Sequence, residues 1–128
     1  MAELKRRKQD LTRGEEEVMQ VLWELGKGTV NDIIGRMPDP KPKYTTVATF
    51  IRILENKEFV RHETVGKGFV YYPAVAKEEY ARTVVGNMLA SYFDGSMSNM
   101  VSFFSRQEDI SARELDEIMD IVEKARKP

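Results

Sequence analysis

Apolar positions recur along the chain first at helical spacing, then at strand spacing, then at helical spacing again. Val18, Val21, Leu22 and Leu25 fall at i, i+3, i+4 and i+7, the stripe of an amphipathic helix. Thr12-Arg13-Gly14-Glu15 has capping-box spacing ahead of it, and Glu15, Glu16 and Glu17 make an acidic first turn, which suits the positive end of a helix dipole. Trp23 lies off the centre of the stripe and is expected to cover one edge. Gly26 and Gly28 stop the helix. Thr29, three residues before Asp32, caps a shorter stripe of Val30, Ile33, Ile34 and Met37. Pro38, Pro40 and Pro42 end it, because proline lacks the amide donor and disfavours helix in the residue before it. A third helix is predicted from Thr45 to Asn56, with Val47, Phe50, Ile51 and Leu54 on its core face.

Two strands follow, Phe59 to Val65 and Phe69 to Tyr72. Gly66-Lys67-Gly68 joins them with the glycines a tight hairpin needs, and Pro73 closes the second strand. From Ala76 the pattern is helical again. Tyr80, Val84, Met88 and Tyr92, or alternatively Val85 and Leu89, form a stripe that ends at Asp94-Gly95. Met97, Met100, Val101 and Phe104 form a short helix. Ser111-Ala112-Arg113-Glu114 opens the last one, with Leu115, Ile118, Met119 and Val122 on its apolar face. The order helix, helix, helix, hairpin predicts a fold that is mainly α with a small β-wing. It consists of a winged helix-turn-helix domain over 1–75 and a C-terminal helical dimerisation region over 76–128.

Composition narrows the chemistry. Apolar residues are 41% of the 128 and charged residues 32%, the balance of a folded globular protein. There is no cysteine, which excludes disulfides, thiolate metal sites and cysteine nucleophiles. The net charge of −1 is uninformative, but residues 1–75 hold 13 Lys and Arg against 11 Asp and Glu, and residues 76–128 hold 7 against 10. The first part is therefore the half that suits an anionic partner. Residues 1–10 read as a polar arm, whose Lys5, Arg6, Arg7 and Lys8 either touch phosphates or stay solvated. With no apolar signal core and no run near the roughly 18 residues of a membrane span, a cytoplasmic location is expected.

The third helix carries the functional signal. Opposite Val47, Ile51 and Leu54 it places Thr45, Thr49, Arg52 and Asn56. Arginine can pair bidentately with guanine, asparagine with adenine, and threonine can offer its methyl to thymine. The only acid nearby is Glu55, at the flank. Lys41 and Lys43 before the helix, Arg61 on the first strand and Lys67 at the wing tip are the phosphate-type cations, which set register and affinity but not sequence preference. His62 is the only histidine, and a surface strand position is expected for it. No phosphate loop, zinc-protease motif or nucleophile elbow is present, so no enzyme and no cofactor are expected. Two rival readings stay open: a protein-interaction module on a winged-helix scaffold, and a small hydrolase built on His62. The tail has more large apolar side chains than three short helices can bury on themselves. Ten of them, at about 1.5–3 kcal/mol each on burial, outweigh an association cost of about 4–15 kcal/mol. A homodimer through Tyr80, Val84, Met88, Tyr92, Leu115, Ile118, Met119 and Val122 is expected; the alternative is a tail folded back on the winged domain. A two-fold dimer predicts a palindromic operator in double-stranded DNA.

From Leu11 to about Lys124 the chain resembles the penicillinase repressor and methicillin-resistance repressor family (the BlaI/MecI/CopY group). The likeness is carried by Leu11-Thr12, Glu16, Val18, Met19 and Leu22-Trp23, and by Thr45-Thr46-Val47-Ala48-Thr49 with Leu54 and Lys57. Gly66-Lys67-Gly68 with Tyr71-Tyr72-Pro73, Phe93-Asp94-Gly95-Ser96 and Leu115 to Ile121 complete it. The resemblance implies a homodimeric repressor of resistance genes, with DNA contacts from the third helix, Thr46 and Thr49 among them, and from the wing. It also implies release by a membrane-bound sensor protease that cuts the tail at a bond corresponding to Phe103-Phe104. Phe103 stands there in place of the family's asparagine. Copper-responsive members use cysteines that this chain does not have.

Overall fold

The computed structural model describes residues 11–126, apart from the side chain of Arg126. The basic arm expected over residues 1–10 lies outside the described residues. Among the described residues three helices come first: α1 (Arg13–Leu25), α2 (Val30–Gly35) and α3 (Tyr44–Asn56). A hairpin follows, β1 (Val60–Val65) and β2 (Gly68–Pro73), and then three more helices: α4 (Lys77–Tyr92), α5 (Met97–Arg106) and α6 (Ala112–Arg126). This is the winged-helix order read from the sequence. One compact unit runs to Thr83 and a second begins at Val84, so the division falls inside α4.

In the first unit the caps form as their spacing dictates. Thr12 accepts from the Glu15 amide while Glu15 accepts from the Thr12 amide, and Thr29 and Asp32 do the same at the start of α2. Each pair satisfies two of the amides that a helix start leaves orphaned. With both starts fixed, Val18, Met19, Leu22, Ile33, Val47, Ile51 and Leu54 converge into a core that is almost wholly excluded from solvent. Phe59 amplifies it. Its amide donates to Leu54 O at 2.9 Å, which turns the chain out of α3 and into the wing and delays the first strand to Val60.

Two contacts distant in sequence close this core. The Trp23 indole N–H donates to Val75 O at 2.9 Å, so the tryptophan covers the edge it was expected to cover. The Tyr80 ring lies 5.9 Å from that of Trp23 and 5.5 Å, edge-on, from that of Phe59, and Tyr80 is only 8% exposed. This corrects the grouping of Tyr80 with the dimerisation stripe. Helical spacing puts it in line with Val84 and Met88, but its ring is used within the winged domain.

The second unit is looser. Asp94 and Gly95 take positive φ of 53° and 74° and end α4. Ser96 caps α5 by accepting from the Asn99 amide at 3.1 Å, and Ser111 caps α6 by accepting from the Glu114 amide at 3.1 Å. Phe93, Phe103 and Phe104 form a cluster with ring centroids 5.3–6.4 Å apart. Met88, Tyr92, Met97, Phe103, Met119, Ile121 and Val122 remain exposed. None of the described helices is long and apolar enough to cross a membrane.

Candidate nucleic-acid interface

The α3 helix is amphipathic in the sense the sequence predicts. Val47, Ile51 and Leu54 are buried, whereas Thr45, Thr46, Thr49, Arg52 and Asn56 are all exposed. The helix starts one residue earlier than expected, at Tyr44, because Lys43 O already accepts from the amides of Thr46 and Val47. The Thr49 hydroxyl donates to Thr45 O at 2.8 Å. That bond commits its proton to the helix and leaves its methyl and oxygen lone pairs for an incoming group.

The cations around this face are unneutralised. Among the described residues, Arg13, Lys27, Lys57, Arg113 and Lys124 pair with carboxylates, while Lys43, Arg52, Arg61 and Lys67 pair with none. Unpaired cations beside hydrogen-bonding side chains are what a polyanion needs: by neutralising phosphates they release the counterions condensed on the polyanion. Lys41 behaves differently. Its ammonium donates to Gly35 O at 3.1 Å and to Met37 O, filling carbonyls that the end of α2 leaves unsatisfied. Two of the three donors of this exposed ammonium thus already serve the end of α2. Asn56 ends the helix and is the base-contact candidate farthest from its start.

The wing is a two-residue hairpin. Val65 pairs with Gly68, Val60 with Pro73, and the turn is Gly66-Lys67. Gly66 has φ +62°, a value at which a Cβ would be strained, and it leaves Lys67 exposed at the tip. Gly28 and Tyr71 exchange amide hydrogen bonds of 2.9 and 2.8 Å, so the second strand is stitched to the loop between α1 and α2. A further link joins wing and helix. His62 Nδ1 lies 2.5 Å from Glu55 Oε2, and its ring packs 4.6 Å from that of Phe69 and 5.6 Å from that of Tyr71. Glu55, the one acid at the flank of α3, is thus tied to the wing. Sequence reasoning placed His62 on the strand surface, where it is, but missed this partner. Nothing in the spacing of residues 55 and 62 announces it, because it depends on how the hairpin folds back. Tyr44 and Phe69 were also overlooked, although both are large aromatics left about half exposed, at 54% and 50%.

In the second unit, Val84, Leu115 and Ile118 are half-buried, whereas Met88, Tyr92, Met119 and Val122 are exposed. A cavity of about 580 Å³ is lined by Met88, Tyr92, Phe93 and both Phe103 and Phe104. The Phe103-Phe104 bond lies inside α5, in regular helix.

The penicillinase repressor family model matches residues 11–124. The penicillinase repressor of Bacillus licheniformis is 27% identical over 116 residues, covering 88% of this chain and 89% of that protein. The methicillin resistance regulatory protein MecI of Mammaliicoccus sciuri is 28% identical over 118 residues, covering 90% and 94%. The penicillinase repressor of Staphylococcus aureus is 21% identical over 114 residues, covering 88% and 90%.

Proposed function

Because this chain belongs to the penicillinase repressor family, we propose that it is a DNA-binding transcriptional repressor whose α3 helix enters the major groove of an operator. The observation that carries the reading is the division of α3. Three of its side chains are fully committed to the core, and Thr45, Thr46, Thr49, Arg52 and Asn56 stand free on the other side, among unpaired cations. Lys43, Arg61 and Lys67 supply phosphate contacts. The second unit joins two copies through its exposed apolar helices, so that two recognition helices meet a palindromic operator. By likeness to its named relatives, the regulated genes are those of β-lactam resistance. A membrane-bound sensor protease ends repression by cutting the tail in the cytoplasm.

The test is selection of a duplex from a randomised pool by the wild-type protein, followed by titration of variants. Arg52→Ala is expected to weaken the selected duplex by about 1–3 kcal/mol and to relax preference at one base pair. Uniform weakening on every duplex would make Arg52 a phosphate contact. Absence of any selected sequence would favour the interaction-module reading instead.

A further inference from the structure

A cleft of about 400 Å³ opens at the junction of α2, α3 and the wing, lined among others by Thr29, Asn31, Tyr44, Lys67, Phe69 and Tyr71. Its volume falls in the range of ligand-holding pockets, about 300–1,000 Å³. Its lining has one charged group, the Lys67 ammonium, and no carboxylate. Acids on the elements around it are engaged elsewhere: Asp32 in its cap with Thr29, Glu55 with His62, and Glu63 with Lys27. The walls are held in place before anything binds. The Gly28–Tyr71 bridge fixes Tyr71 against the loop that leads into Thr29, and the Phe69 ring rests 4.6 Å from that of His62. The lining thus combines one positive charge with the Thr29 hydroxyl, the Asn31 amide and three aromatic side chains. It does not suit an apolar peptide, and Tyr44, the exposed first residue of α3, is part of its lining.

Resting on the operator-binding reading above, we propose that this cleft grips one backbone phosphodiester of each operator half-site, together with its deoxyribose. Lys67 faces the phosphate charge, the phenol hydroxyls of Tyr44 and Tyr71 donate to its oxygens, and Phe69 packs against the sugar. Burial, and then the nearby Glu55 and Tyr44, push the Tyr71 phenol above its ordinary value, so it keeps the proton it donates. The grip fixes how far α3 slides along the groove, because Tyr44 is the first residue of that helix.

The experiment uses the selected duplex with one neutral methylphosphonate at a time. The wild-type protein is expected to lose about tenfold in affinity at one symmetry-related pair of phosphates over and above the other contacts. Tyr44→Ala and Lys67→Gln should each be indifferent to that same substitution, and Tyr44→Phe should show part of the effect. Unchanged thermal melting of the variants confirms that they are folded. If the variants respond to every methylphosphonate as the wild type does, the cleft holds no phosphate and the proposal falls, while a sequence preference that depends on Arg52 would leave the operator reading standing. If the wild type selects no duplex, both fall together.

Discussion

At the scale of single residues, the winged unit depends on a close approach and a buried charge. Gly14 sits where a Cβ would stand 2.9 Å from both Cε atoms of Phe50 and closer still to Cζ. Helix propensity alone favours alanine there, but the overlap forces the Phe50 ring to move. Gly14→Ala is therefore expected to destabilise by about 1 kcal/mol. In a Phe50→Leu background the same change should stabilise by about 0.5–1 kcal/mol. Denaturant midpoints measure both, and destabilisation of equal size in the two backgrounds would show that the ring is not the obstacle. Glu15 is 4% exposed and bonds the Lys57 ammonium at 2.6 Å. Burial raises its pKa, but the Lys57 bond and charge and the Thr12 cap outweigh burial and hold the carboxyl below 4.5. A depressed folded value means that the stabilisation is complete above 4.5 and is lost as pH falls through the folded value. Glu15→Gln should lose about 1–3 kcal/mol at pH 7. Its stability should then fall less steeply than that of the wild type on acidification below 4.5. Parallel acid curves for the two proteins would remove Glu15 from the account.

At the scale of elements, α5 sets a condition on proteolysis. A protease needs an extended strand, and the Phe103-Phe104 bond is held in regular helix with both rings in the Phe93 cluster. Cutting must pass through an opened helix, whose population follows its stability. Ser102 is exposed in the middle of α5, so Ser102→Gly and Ser102→Ala bracket about 1 kcal/mol of helix stability with no change of packing. Chymotrypsin should cut the glycine variant at this bond about fivefold faster than the alanine variant. Equal rates would mean that the bond is cut without unwinding. The elements themselves were legible because each is local: caps at Thr12, Thr29 and Ser111, prolines after α2 and glycines at the hairpin announce their own positions. The division of α3 into a buried and an exposed side was legible for the same reason, since a helix periodicity separates the two. What the sequence did not reveal is pairing across distance. Tyr80 shares its spacing with Val84 and Met88 yet belongs with Trp23 and Phe59, and the bonds of Lys41 to the carbonyls at the end of α2 have no signature in the sequence. The His62–Glu55 link and the cleft behind Tyr44 likewise exist only once hairpin and helix are brought together.

At the scale of the whole molecule, on the proposed reading, the two units divide the work of affinity. A single α3 helix with a few phosphate contacts binds weakly, and joining two of them makes the second contact intramolecular. The gain from linkage is about 10²–10⁴-fold when the spacing matches. The second unit has a surface suited to that proposed linkage: Met119, Ile121 and Val122 are 68, 65 and 50% exposed along one helix, and a second copy would supply the burial that water denies them. Placing carboxylates there, as Met119→Glu with Val122→Glu, should convert a dimer seen by sedimentation into a monomer. Affinity for a full palindrome should then drop by about 10²–10⁴-fold, while affinity for an isolated half-site stays as it was. The half-site arm separates the two roles, because a misfolded tail that disturbed the winged unit would weaken both duplexes together. A variant that remained dimeric would move the subunit contact elsewhere, to the cavity beside Phe93 and Phe103. Full affinity from a monomer would instead mean that the operator is read by one copy alone.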